Sequence, residues 1–310
     1  MTTTPTKQTS SMSNLRALIA CARPRQWPKN VLIFFPLVFS VNQRINEFGR
    51  GQVLIDLWNV TLGFLIFCML TSATYLVNDT MDAENDRLHP TKSSRPIASG
   101  RLSKAVAVST AVVLFTTGLA LAFLLRPEFG AVAAIYVAST LAYSLYLKNV
   151  AILDAMLVAS GFLLRAIAGA EIIDVTVSPW LYAGTSAGAL LISFGKRRNE
   201  LAVVGSGGEH RPTLAEYAHP QLMDQLIAVA TSATLITYAL YTFLAPNLPA
   251  NHAMMLTIPL VLYGIFRYLF LIYHRNMGGS PEEILLRDVP MLVNMALWLA
   301  SAAAILLMFD

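Results

Sequence analysis

Charge is what this sequence has least of. Aspartate, glutamate, lysine and arginine together account for 13% of the 310 residues, against 55% hydrophobic residues. That balance excludes an ordinary soluble domain and points to an integral membrane protein. Cysteine is almost missing: Cys21 and Cys68 are too few, and too apolar in setting, for a disulfide framework or a metal cluster. The net charge of +4 gives no sign of nucleic acid, because basic residues on a membrane protein first report topology. No internal repeat, low-complexity stretch or soluble domain stands out. Residues 1–14, rich in Thr and Ser, read as a disordered N-terminal tail. No apolar segment with a cleavage pattern follows at signal-peptide distance, so no processing is expected.

Long hydrophobic runs are what the chain has instead. At about 20 residues per span, nine segments qualify, at 28–43, 54–77, 104–125, 129–147, 151–171, 179–195, 222–245, 253–274 and 288–308. The first is short and interrupted by Pro36. The expectation is an all-α integral membrane protein, with residues 15–310 forming one transmembrane domain of nine helices. With the N-terminus in the cytoplasm, most of the 22 lysines and arginines fall on the inner side, which sets the orientation in a cell inner (plasma) membrane. The long polar segments, 78–103 and 196–221, then lie on the cytoplasmic side.

The densest charge runs from Asn78 to Arg101, NDTMDAENDRLHPTKSSRPIASGR. Asn78, Asp82 and Asp86 recur at i, i+4 and i+8, with Asp79 three residues before Asp82. A helix continuing past the membrane would put all four on one face, extended into the bilayer by Tyr75 and Ser72. Magnesium takes hard oxygen ligands, keeps waters, and combines one or two carboxylates with substrate phosphates. Asn78 and Asp82, one turn apart, suit that ion; Asp79 and Asp86 would orient waters or basic groups around it. The plainer alternative, a solvated helix end, would gather uncompensated carboxylates beside an anionic surface.

Prolines at 90 and 96 turn the chain back toward the membrane, so that Lys92 and Arg95 face the acidic end. Lys148 occupies the next inner loop, in YSLYLKN, and Lys196, Arg197 and Arg198 the one after, in GKRRNE. Guanidinium groups bind phosphate oxygens in pairs, so Lys92, Arg95, Lys148 and Lys196 are read as phosphate ligands, Arg101 and Arg198 as topology alone. Arg165 sits within a span, where a charge is expensive and faces the bundle interior or a wet cavity. Asp154 shares its helix face but lies about 16 Å away, so another partner is required. A substrate phosphate is one candidate; backbone carbonyls or a carboxylate from another helix are the others. Trp27, Trp58, Trp180 and Trp298 fit interfacial or packing positions, and Gly184 and Gly188 fit close helix packing.

Together, NDTMDAEND, the following RPIASG and the nine segments resemble the UbiA superfamily of membrane-embedded prenyltransferases, whose NDxxDxxxD motif the first matches. The resemblance implies a UbiA-like bundle with its active-site cavity open to the cytoplasmic side, and magnesium held by Asn78 and Asp82. That superfamily carries a second Asp-rich motif between helices 6 and 7. Here the loop begins GKRRNEL, with Glu200 the one nearby carboxylate, and the site has become basic. RPRQWPKN, HPTKSSRPIASG, YSLYLKN, GFLLRAIAGA, SPW and GKRRNEL look like one branch of the superfamily, the decaprenyl-phosphate phosphoribosyltransferases of actinobacterial cell-wall synthesis. That likeness implies transfer of 5-phosphoribose from phosphoribosyl pyrophosphate (PRPP) to decaprenyl phosphate, on the way to arabinogalactan. Asp79, Asp82 and Asp86 become the expected catalytic carboxylates. Lys92, Arg95, Lys148, Lys196 and Arg197 would bind the donor, and Lys29, Tyr75 and Arg165 the lipid phosphate. The competing reading is prenyl transfer to an aromatic acceptor; a transporter would place more charge at mid-bilayer. The oligomeric state, a homo-oligomer included, is left open.

Overall fold

The computed structural model describes residues 7–88, 92–204, 216–217, 219–246, 248–275, 284 and 287–308. Among these the regular structure is helical throughout: α1 (Lys7–Ala22), α2 (Phe35–Phe48), α3 (Arg50–Met81), α4 (Ala83–Leu88), α5 (Lys104–Leu125), α6 (Pro127–Leu145), α7 (Leu153–Ile173), α8 (Pro179–Val204), α9 (Pro220–Leu244), α10 (Ile258–His274) and α11 (Val289–Met308). Short 3-10 segments connect some of them, the longest being Pro24–Phe34. Helix starts follow the sequence. Ser103 caps α5 by accepting from the Val106 amide, and prolines open α6 and α9, where the missing N–H costs nothing. Helix α1 begins at Lys7, inside the stretch read as a disordered tail; residues 1–6 lie outside the described residues.

Seven helices among the described residues are long and apolar enough to cross a membrane, two fewer than the nine segments expected. The first shortfall, 28–43, follows from proline. Pro24, Pro28 and Pro36 remove amide donors in quick succession, so the chain runs as a 3-10 segment to Phe34 and α2 has 14 residues. At about 21 Å, α2 alone does not span a core of roughly 30 Å. The second, 179–195, lies in α8, which at 26 residues reaches about 39 Å. Its apolarity is diluted by Gly184, Thr185, Ser186 and Gly188 before Lys196 begins the basic end.

The described residues gather into two compact units, one within 1–31 and 62–147, the other within 32–61 and 148–310. In the first, α1, α4 and α5 close on α3 around Cys21, Ala73, Leu76, Ala83, Ile97 and Leu102. Phe67 packs against Phe129 and Tyr136. A Cβ on Gly118 would lie 2.7 Å from Leu70 Cδ2, so α5 approaches α3 as closely as its lack of a side chain allows. Small residues do this work because lipid gives helices no hydrophobic reason to associate. In the second unit α7 is the most enclosed helix, through Ala155, Ala159, Ala166, Ala168, Gly169 and Ala170. A Cβ on Gly169 would stand 2.0 Å from the Ile33 carbonyl oxygen. Arg44 and Asp56 form a buried two-point ion pair at 2.7 and 3.1 Å.

Candidate active site

The acidic stretch lies in the first unit, where α3 gives way to α4. The break at Asp82 is shallow: the Asp82 amide donates to the Asn78 carbonyl at 2.9 Å and the Asp86 amide to the Asp82 carbonyl at 2.8 Å. Helical spacing therefore runs through the motif. Along that face the four side chains pair in two sets. Asn78 Nδ2 donates to Asp82 Oδ2 at 3.1 Å. Asp79 and Asp86 are instead joined by one guanidinium: Arg95 Nη1 lies 3.1 Å from Asp79 Oδ1 and 2.6 Å from Asp86 Oδ2.

Both bridged carboxylates are buried, at 2% and 5% exposure, and such groups need partners. Asp79 has a second one, Arg23 Nη2 at 2.5 Å. The residue arrives from the turn after α1, where Arg23 itself takes a left-handed backbone, φ 51°. Its guanidinium also covers the Tyr75 ring at 4.8 Å. The segment behind it is pinned to α3, with Trp27 Nε1 donating to Ser72 Oγ at 3.2 Å and Ser72 Oγ to the Ala22 carbonyl at 3.1 Å. Arg23 was legible only as part of RPRQWPKN; nothing in its spacing from Asp79, 56 residues on, announces the contact. Lys92 is exposed at the head of the 3-10 turn that leads to Arg95, and Lys29 is half-buried. His89, Pro90 and Thr91 lie outside the described residues.

Glu84, on α4, faces elsewhere, pairing with Lys104 and Arg87 at 2.8 Å each. The Lys104 and Arg87 side chains hold its carboxyl below the usual range. Among the described residues no three His, Cys, Asp or Glu side chains converge as a metal cage. Asn78 and Asp82 offer hard oxygens one turn apart, which fits an ion that completes its shell with water and phosphate oxygens.

The second unit holds a different cluster. Asp154, fully buried at the start of α7, receives Arg197 Nε on Oδ2 at 2.7 Å and the Tyr217 hydroxyl on Oδ1 at 2.6 Å. Arg197 Nη1 also meets Glu200 Oε2 at 2.6 Å. The Ile152 amide donates to the Tyr217 oxygen at 2.5 Å, from a residue with φ 67°. Burial, then the bond to Asp154, pushes the Tyr217 phenol up, so it stays a donor at neutral pH. Arg197, expected to bind donor phosphate, is thus 4% exposed and committed to two carboxylates. Its neighbour Lys196 is exposed, and Lys148 is half-buried in the 3-10 turn Leu147–Asn149. Arg165 is buried and donates from Nη1 to the Gly161 carbonyl at 2.6 Å, the backbone partner weighed for it above. Tyr217 was not singled out from the sequence, since a lone tyrosine in a polar segment carries no periodic signal.

Comparison with known proteins gives the geometry its relatives. The profile of the UbiA prenyltransferase family matches residues 49–284. The chain is 34% identical to the decaprenyl-phosphate phosphoribosyltransferase of Mycolicibacterium smegmatis over 93% of this chain and 91% of that one. It is 33% identical to the enzyme of that name from Corynebacterium glutamicum, over 91% and 84%. Among solved structures, a UbiA homologue from Archaeoglobus fulgidus bound to DMAPP and Mg2+ superposes with a TM-score of 0.70, covering 94% of this chain and 99% of that chain at 19% identity. The same homologue has been solved with Cd2+. At that identity the likeness shows the fold alone.

Proposed function

The chain belongs to the UbiA prenyltransferase family, and from that premise we propose that it transfers 5-phosphoribose from PRPP to the phosphate of decaprenyl, or a related polyprenyl, phosphate. Pyrophosphate is released, and the lipid product serves cell-wall arabinan synthesis. What favours this over prenyl transfer to an aromatic acceptor is that GKRRNEL stands where a second Asp-rich motif would be needed: Lys196 is exposed there, and Glu200, the one carboxylate in that stretch, is tied to Arg197. A donor with a further 5-phosphate needs cations; a prenyl diphosphate with a second metal needs aspartates.

In the proposed reaction a lipid phosphate oxygen bonds to the anomeric carbon as that carbon's bond to pyrophosphate breaks, the electron pair leaving with pyrophosphate. The nucleophile is already ionised, so no general base is called for. The protein's task is to stabilise the leaving group and align two anions. Magnesium, with Asn78 and Asp82 as its ligands, would supply Lewis acidity toward the diphosphate. Lys92 and Arg95 are assigned to the donor phosphates. Asp79 and Asp86 are assigned to positioning, since both are occupied in holding Arg95 and Arg23. Lys29 and Tyr75 are assigned to the lipid phosphate. Lys148, Lys196 and Arg165, in the second unit, remain proposed phosphate ligands on charge and sequence context; Arg197 is reassigned to holding Asp154.

The topology proposed with this function is nine crossings, the Pro24–Phe48 segment and α8 joining the seven. It places the N-terminus and the acidic motif in the cytoplasm of a plasma membrane, supported by the inward bias of the basic residues. The test is a transfer assay on purified protein in detergent, offering radiolabelled PRPP and decaprenyl phosphate with magnesium or with EDTA. A metal-dependent, lipid-extractable labelled product is expected. No product, alongside transfer from a prenyl diphosphate to an aromatic acid, would replace this reading with the prenyltransferase one.

A further inference from the structure

The three consecutive basic residues of α8 are disposed in three different ways. Arg197 turns into the unit and binds Asp154 of α7. Arg198, one residue on, is bound sideways. Its Nε donates to Asp224 Oδ1 of α9 at 3.2 Å and its Nη1 to the Ile272 carbonyl of α10 at 3.4 Å. The same guanidinium lies over the Tyr273 ring, 4.0 Å from its centroid. The Tyr273 hydroxyl closes the cluster by donating to the same Asp224 oxygen at 2.8 Å. Lys196 is turned outward: it is exposed, while every other residue from Leu191 to Glu200 is buried or half-buried.

These ties fix the rotation of α8 about its own axis. At 3.6 residues per turn, Lys196 stands about 100° from Gly195 on one side and from Arg197 on the other. Gly195 lies against α10, where an added Cβ would come 2.5 Å from the Tyr268 hydroxyl oxygen, and Arg198 follows it on the same face. A helix tied on one face can roll about that tie; a second tie on another face removes the roll. The Arg198 and Asp224 side chains are 27% and 48% exposed, so their pair adds little to stability. A guanidinium that stacks on a ring and donates to a carboxylate at once nevertheless has a defined direction. Direction is what a lysine serving as a ligand requires.

From this we infer that Arg198 is a positioning residue of the donor site, an assignment that rests on the transferase reading, in which Lys196 binds PRPP. With Asp224 and Tyr273 it sets the azimuth of the last turns of α8 and keeps Lys196 directed toward a phosphate of the sugar donor. Arg198 acts through Lys196 and makes no contact with the donor itself.

The test is separate titration of PRPP and decaprenyl phosphate with the full chain purified in detergent with magnesium. Asp224→Ala distinguishes positioning from charge by the sign of its effect. By charge alone, removing a carboxylate favours an anionic donor, and KM for PRPP would fall. Loss of the clamp should instead raise that KM by about tenfold with kcat within about twofold, the signature of lost ground-state binding. KM for the lipid should not move. Arg198→Lys keeps the charge and loses the planar fork, so it should raise KM for PRPP likewise. Tyr273→Phe keeps the ring under Arg198 and loses only the hydroxyl; it should act in the same direction by less, and it carries the test should Asp224→Ala not fold. In a Lys196→Ala background none of these changes should raise KM further, because residues that act through one another do not add. An unchanged or lowered KM in the clamp variants, or effects that add to Lys196→Ala, would overturn the inference and leave the transferase reading standing. Wild type without PRPP turnover would overturn both.

Discussion

In the first unit Arg95 bridges Asp79 and Asp86 while a quarter of its side chain stays exposed; in the second, the Arg197 side chain is 5% exposed and that of its partner Asp154 is wholly enclosed. The functional groups are the same and the settings differ. Around Asp154 both carboxylate oxygens are taken, one by a guanidinium and one by a phenol, which makes a closed knot tying α7 to α8 and to Tyr217. Around Asp79 the guanidinium comes from a short turn that also carries exposed Lys92, and Asn78 and Asp82 stand beside it with a single long bond between them. A cluster can hold a ligand only if part of its hydrogen-bonding capacity is turned outward. On that criterion the acidic cluster is the one proposed as the working site, and the buried one is proposed as architecture.

Substitutions can break this contrast, and the largest effect is expected at Asp82. Asp82→Ala should lower magnesium-dependent turnover by about a thousandfold, the upper range for one essential electrostatic group, without changing the melting temperature in detergent. Near-wild-type activity would remove Asp82 from the metal site. The opposite signature is expected in the second unit. Arg197→Ala should cost about 3–5 kcal/mol of stability, as losing one partner of a buried pair does. A donor titration of the protein that still folds should show a nearly unchanged KM. A raised KM with full stability would return Arg197 to the donor site.

Arg95→Lys keeps the charge but loses the planar fork that meets two carboxylates at once. A fall of about tenfold in kcat/KM for the donor is expected, with little loss of stability, since the pair is partly screened by solvent. Glu84→Gln should do least, leaving turnover within about twofold, because exposed ion pairs contribute little. Its carboxyl is held below the ordinary range by Lys104 and Arg87. Any stability it adds is therefore complete above its unfolded pKa of about 4.3 and is lost only as pH falls through the lowered value. Wild type and Glu84→Gln should give parallel pH–stability curves above pH 5, offset by whatever the pair contributes, and converge as the pH falls below that; an offset that changes between pH 5 and pH 8 would contradict it.

The sequence carried the helical class, most helix positions and the acidic motif, because each is a local pattern: apolar run length, capping residues, i and i+4 spacing. It did not carry the pairing of charges. Asp79 meets Arg23 across 56 residues and Asp154 meets Tyr217 across 63, and no periodicity spans such distances. The same limit explains why Arg197 read as a phosphate ligand: a basic triplet at a membrane surface looks alike whether its middle member turns inward or outward. At 28–43 the nine hydropathy segments and the seven long apolar helices among the described residues differ for a local reason, since summed hydropathy hides what three nearby prolines do to the backbone.

Gly169 lies one turn beyond Arg165 on α7, and at Gly169 the helix meets the Ile33 carbonyl with no room for a methyl group. That contact works as a keyway. Rotating α7 by a single residue, about 100°, would drive a neighbouring side chain into the Ile33 carbonyl. The helix therefore has one permitted azimuth, and the direction of the Arg165 guanidinium is fixed by a missing side chain four residues away.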